Sequence, residues 1–283
     1  MINKENLKKV LDFLEFTHRK EIYTYKNTIL GYTIVVDFAG KGKITYPDGV
    51  IVNDETTSNL TKNENFVVLE CVYRLLKLGY KPECIELEPK WEAPHDIGGG
   101  GKADVLVKDN AGESFLLIEC KTWGKEFDNY WKKTEQDGDQ LFFYAVQKRS
   151  TKYLCMYASN WDNDELVRKS NIISLKDNTA TLESFDEPIS FEKANDKSSL
   201  FAAWNITYGK YSFKNGIFED TCIPYLIEEK GRDISNITEI GHDDIQKKYH
   251  EFTTILRQHN VSGRENAFDK LVNLFLAKIV DEI

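Results

Sequence analysis

Two apolar runs bordered by charge restrict this chain more than any other feature. The first is Gly101-Lys102-Ala103-Asp104-Val105-Leu106-Val107, and the second is Leu116-Leu117-Ile118-Glu119-Cys120-Lys121. An aspartate closes a glycine-rich loop and opens one run; a Glu-x-Lys closes the next. Joined through Asn110-Ala111-Gly112, the two runs read as a hairpin of buried strands. Ionisable side chains set against such strands are costly unless something offsets the desolvation of their charges. A divalent cation held by Asp104 and Glu119, with Lys121 beside it, does so. Oxygen ligands suit Mg2+ or Mn2+, and the spacing predicts metal-dependent phosphodiester hydrolysis. Glu119 and Lys121, two apart on a strand, share a face, while Cys120 turns the other way into the core.

The rest of the chain arranges itself around that hairpin. Leu7, Val10, Leu11 and Leu14 mark a helix over residues 5–16. Tyr32 to Asp37, a Gly40-Lys41-Gly42 turn and Lys43 to Tyr46 form a hairpin pattern, followed after Pro47-Asp48-Gly49 by Val50-Ile51-Val52. A helix capped by Asn63 runs from about Glu64 to Leu78 and stops at Gly79. Ile85 to Glu88, Ala103 to Val107, Phe115 to Lys121 and Tyr153 to Ala158 read as strands, and Phe127 to Gln147 as one long helix. This predicts an α/β core, a mixed sheet flanked by helices, ending near residue 160. From 161 to 240 the pattern weakens to a connector with short strands such as Ile172 to Leu175. Beyond Gly241, two helical segments (242–259 and 264–283) are separated by Asn260-Val261-Ser262-Gly263.

Further side chains gather near the expected site. Glu70 lies inside the apolar face drawn by Phe66, Leu69, Tyr73 and Leu76, where a carboxylate needs an explanation, and it is expected to reach the metal directly or through water. Gln140 and Tyr144 are one helical turn apart and face the same way, positioned to orient Lys121 or contact a phosphate or base. Gly98 to Gly101 followed by Lys102 is not a phosphate loop, because Ala103 stands where that motif needs Ser or Thr. The better account is a loop beside the metal site with Lys102 available to a DNA phosphate. His95 and His242 have no partner at ligand spacing.

Composition narrows the class. The chain of 283 residues carries a formal net charge of -9, which argues against bulk electrostatic binding of nucleic acid but leaves room for a specific site. The five cysteines, Cys71, Cys84, Cys120, Cys155 and Cys222, are scattered and form no CxxC pair, which fits buried thiols in a reducing cytoplasm. No apolar run approaches a membrane span.

Taken together, Glu70, Asp104, Glu119-Cys120-Lys121 and Gln140-x-x-x-Tyr144 resemble the PD-(D/E)XK nuclease superfamily. More narrowly, they resemble the N-terminal nuclease domain of type I restriction R subunits and of fused restriction-modification enzymes. Ala103 stands before Asp104 where the superfamily's name has proline, as is common in the restriction branch. Residues 249–283, with Phe252 to Arg257 and Arg264 to Leu271, look like the helical start of an N6-adenine methyltransferase. The resemblance implies a restriction-endonuclease-like fold with an extension over 1–60, a nuclease core over 61–160, a connector over 161–240 and a truncated methyltransferase-type start over 241–283. It implies a Mg2+-dependent endonuclease acting on double-stranded DNA and leaving a 5′-phosphate and a 3′-hydroxyl. Asp104, Glu119 and Glu70 would hold the metal, Lys121 would assist the water, and Gln140 and Tyr144 would orient Lys121 or the DNA. The chain stops inside an apolar stripe, so methyltransferase and target-recognition domains are expected downstream. It has neither an (N/D)PP(Y/F) motif nor a glycine-rich methyl-donor loop, so no methyl transfer is expected from it. A non-catalytic DNA-binding or assembly module with a relic core, and a repair or RNA-processing nuclease, are the alternatives.

Overall fold

The computed structural model describes residues 1–90, 102–109, 111–214 and Asn273. The Gly98 to Gly101 loop, His95, Asn110, Cys222 and, apart from Asn273, the expected helices after Gly241 lie outside the described residues. Helix α1 (Leu7–Phe13) leads into a four-stranded antiparallel sheet of β1 (Thr17–Arg19), β2 (Ile22–Asn27), β3 (Tyr32–Asp37) and β4 (Lys43–Thr45). The β3–β4 hairpin follows the sequence expectation. Strand β1 was not anticipated, because Thr17-His18-Arg19 is exposed throughout; β2 was missed although Tyr23 and Tyr25 alternate on its buried face.

The second sheet is mixed and seven-stranded. It is built from β5 (Ile51–Val52), β6 (Ile85–Leu87), β7 (Val105–Lys108), β8 (Ser114–Cys120), β9 (Tyr153–Asp162), β10 (Glu165–Ser174) and β11 (Phe213–Lys214), in the order β11-β10-β9-β8-β7-β6-β5. Between β5 and β6 runs α2 (Asn63–Lys77), and between β8 and β9 run α3 (Lys125–Asp137) and α4 (Asp139–Gln147). The short helices α5 (Thr179–Glu183) and α6 (Lys197–Ala202) follow β10. The β5–β6 and β8–β9 pairs are parallel and the rest antiparallel. Parallel pairs need a crossover, and the helices supply it. The expected mixed α/β architecture is therefore the one observed.

Helix α2 lies between the two sheets, and this explains its composition. Every residue from Asn65 to Leu76 is buried. Tyr73 meets Tyr25 of β2 edge-on, with ring centroids 4.9 Å apart, whereas Glu70 reaches Tyr157 of β9. A helix apolar all round is one covered all round. Its C-terminus closes as expected: Gly79 has φ +101, and the amides of Gly79 and Tyr80 donate to Leu76 and Leu75 carbonyls at 3.1 Å. Its first residue is Asn63 itself, with Lys62 at the cap position and no side-chain cap. On the opposite face of the large sheet, Leu117, Leu154 and Met156 pack with Phe127, Trp131, Leu141, Phe142, Leu200 and Trp204.

Two expectations are corrected. The single helix over 127–147 is two helices, broken where Gly138 (φ +82) and Asp139 (φ +39) both turn left-handed. A Cβ at Gly138 would stand 2.9 Å from the Phe142 side chain, so the break needs glycine there. The boundary near 160 falls inside β9, because β9 and β10 form a ten-residue ladder from Asp162↔Glu165 to Tyr153↔Ser174. The connecting pair, Asn163 (φ +50) and Asp164 (φ +60), is the two-residue left-handed turn that hairpins favour. Residues Met1–Ile227 accordingly form one unit. Among the described residues no helix is long and apolar enough to cross a membrane.

Candidate metal centre

The β7–β8 register aligns Val105 with Ile118, so one step beyond it Asp104 stands opposite Glu119. Directly opposed residues share a face, and the main chain confirms the alignment: the Cys120 amide donates to Asp104 Oδ2 at 2.7 Å. Glu119 and Lys121 project on that face too, and Lys121 is anchored by its amide to the Tyr157 carbonyl at 2.9 Å. Cys120 is fully buried on the α2 side, as expected. The convergence of Asp104, Glu119 and Lys121 is thus a property of strand register.

Lys121 is 6% exposed and Glu119 4%. The ammonium donates to Glu119 Oε1 at 2.7 Å and to Glu64 Oε1 at 2.9 Å, and it sits 4.5 Å from the centre of the Tyr130 ring. Burial opposes the Lys121 charge, but the carboxylates of Glu119, Asp104 and Glu64 outweigh it and hold the ammonium above the ordinary lysine value. Burial raises Asp104 well above the usual carboxylate range, and the Glu119 charge adds to the rise. Glu119 is pushed up to about 7, by burial first and against the pull of Lys121.

Glu119 Oε2 is buried and has no hydrogen-bond partner among the described residues. An unsatisfied carboxylate oxygen in such a place is costly. Glu119 therefore retains one oxygen for a ligand, opposite the Asp104 carboxylate. This donor chemistry fits a hard divalent cation. No group of three or more His, Cys, Asp or Glu side chains is preformed for a metal among the described residues. A cation here would be held by Asp104 and Glu119 with water or substrate completing its shell.

The carboxylate that α2 contributes is Glu64, from the first turn, rather than Glu70. Six residues further on, Glu70 lies about 9 Å along the axis and on a different face. It is 1% exposed, its Oε2 accepts from the Tyr157 hydroxyl at 2.7 Å and its Oε1 from Arg168 Nε at 2.8 Å. Each oxygen already holds a partner away from Asp104 and Glu119, so the expectation of Glu70 beside the metal is corrected: its burial in an apolar stripe is explained by an ion pair with β10. Glu64 was legible only as an acidic first-turn residue. Tyr130 gave no signal, since its role depends on how α3 crosses β8.

Gln140 and Tyr144 both fall on α4, and Tyr144 lies near the charges of Glu119 and Asp104. Tyr144 is buried, and its phenol is raised by that burial and by Glu119 and Asp104. Its hydroxyl donates to the Lys102 carbonyl at 3.0 Å. Gln140 Oε1 is buried and unpartnered among the described residues. Lys102 is engaged within the chain, donating to Asp54 Oδ2 at 2.9 Å and Glu88 Oε1 at 2.8 Å. The expected DNA-contacting lysine is therefore already paired with two carboxylates.

The raised Glu119 gives a pH dependence with a definite sign. The folded state holds this proton more tightly than the unfolded chain, so the contribution to stability is present below the unfolded value of 4.5 and is lost as pH rises through about 7. Asp104 acts in the same direction. The metal-free Tm is expected to fall by several degrees between pH 5 and pH 8, and Glu119→Gln to flatten the fall. Thermal scans across that range check it; a rising wild-type Tm contradicts it. A scan against protein-family models gives no match to this chain, and a search of curated proteins gives none.

Proposed function

We propose that the chain is a Mg2+-dependent DNA endonuclease module of the restriction type, acting on double-stranded DNA in the cytoplasm. The observation that carries this reading is the buried Glu119 carboxylate opposite Asp104, with one oxygen on Lys121 and the other unpartnered among the described residues. A bound divalent cation would supply Lewis-acid polarisation and make a water easier to deprotonate for attack on phosphorus. Asp104 and Glu119 would hold it. Lys121 brings positive charge to the phosphoryl oxygens as charge develops there, and Glu64 and Tyr130 fix its ammonium. Gln140, one helical turn from Tyr144 on α4, offers an unpartnered acceptor for Lys121 or the DNA, and Tyr144 holds the chain leading to Asp104. As water bonds to phosphorus the P–O3′ bond breaks, leaving a 5′-phosphate and a 3′-hydroxyl.

The test is conversion of supercoiled plasmid in Mg2+ by wild type and Asp104→Ala. Removal of a ligand is expected to cut the rate at least about a hundredfold; equal nicking by both proteins rejects the assignment. A second reading, a DNA-binding or assembly module with a relic core, is favoured by one feature. Lys121 already neutralises Glu119 and Glu64 without a metal. Calorimetry separates the two: Mn2+ heat that vanishes in Asp104→Ala supports the nuclease, and its absence in wild type supports the relic.

A further inference from the structure

Lys102 was expected to face DNA, yet its surroundings assign it different work. Its ammonium bridges Asp54 Oδ2 (2.9 Å), Glu88 Oε1 (2.8 Å) and Thr56 Oγ1 (3.1 Å). Glu88 is 2% exposed and accepts further from Thr56, from the Thr57 hydroxyl at 3.2 Å and from the Thr57 amide at 3.4 Å. A carboxylate so deeply buried is tolerated only when paired. Glu88 also holds φ +50, a left-handed conformation uncommon outside glycine. Such a residue persists where its surroundings over-determine it.

The main chain carries the consequence. The Glu88 amide donates to the Asp104 carbonyl at 3.0 Å. On the other side, the Tyr144 hydroxyl donates to the Lys102 carbonyl at 3.0 Å. Residues 102 and 104 are therefore held from both directions, just before β7 begins. The same knot reaches α2, since Asn65, next to Glu64, donates to the Thr56 carbonyl at 2.9 Å.

We propose that Lys102 is a positioning residue for the metal centre: clamped between Asp54 and Glu88, with its carbonyl held by Tyr144, it fixes the main chain that presents Asp104 beside Glu119. This rests on the reading of Asp104 and Glu119 as metal ligands. The clamp acts through the backbone. Outer partners of metal ligands tune affinity by about ten- to a hundredfold.

Two readouts test it: Mn2+ affinity by calorimetry, and the Cys120 amide proton shift in metal-free protein, which reports the bond to Asp104. Lys102→Met is expected to weaken Mn2+ binding about tenfold and move the Cys120 amide upfield, and Lys102→Arg to restore both. The double variant Glu88→Gln/Lys102→Met leaves no buried charge unpaired; it should regain thermal stability without regaining affinity. An unchanged affinity and unchanged Cys120 shift in Lys102→Met overturn the proposal, as does full recovery of affinity in the double variant. Should wild type bind no Mn2+, the metal reading fails, and the Cys120 shift still decides whether Lys102 places Asp104.

Discussion

Lys121→Ala is expected to bind Mn2+ at least as tightly as wild type and yet cleave DNA about a thousandfold more slowly. The two effects separate because the ammonium serves two purposes. In the metal-free protein it neutralises Glu119 and Glu64, at 2.7 and 2.9 Å. Without it, those carboxylates and Asp104 face one another across a site with little water, so a divalent cation meets more negative charge and gains affinity. The phosphoryl group loses the cation that meets its developing charge. Metal-free Lys121→Ala should also melt lower, with Mn2+ restoring much of the difference. Calorimetry, plasmid cleavage and thermal scans on one preparation check all three. A variant that lost Mn2+ binding while remaining folded would show that Lys121 builds the site and does not serve the chemistry.

The second large effect lies away from the metal. Arg168→Ala removes the guanidinium 2.8 Å from Glu70, a carboxylate 1% exposed at the centre of α2. Removing one partner of a buried pair leaves the other charge uncompensated, at a cost of about 3 to 5 kcal/mol. The Tyr157 hydroxyl, 2.7 Å from the other oxygen, and buried Arg74, one helical turn along α2, soften this. Arg168 is itself 22% exposed, which places the expected loss near the lower end, about 3 kcal/mol. Denaturant unfolding measures it. Glu64→Gln, on the same helix, should leave stability nearly unchanged and reduce cleavage instead. If Arg168→Ala abolished Mn2+ binding in folded protein, the assignment of Glu70 to structure alone would be wrong.

Much of the architecture was written in local pattern. The strands at 85–88, 103–107 and 115–121, the helix from Glu64 and its stop at Gly79 follow from apolar runs and left-handed glycine. Asp104, Glu119 and Lys121 were legible because strand alternation and a hairpin determine which side chains share a face. The break at Gly138 was not, since the apolar period passes through it unchanged. Nor was the continuation of the sheet into β10, although Asn163-Asp164 is a recognisable two-residue turn. The alternation of β10 is blurred: residues near its start are exposed or half-buried, and those near its end are buried on both faces.

By itself, then, the sequence determined the mixed α/β class and the three ionisable residues of the β7–β8 hairpin, because these depend on neighbours a few residues away. Only the tertiary structure decided which carboxylate of α2 joins them. Glu64 and Glu70 lie on one helix and both carry the same charge, but one is met by Lys121 and the other by Arg168, 57 and 98 residues distant. The assignment of Lys102 turned on the same point. A charge is assigned by whichever partner the packing of distant elements brings within 3 Å, and desolvation makes that partner obligatory.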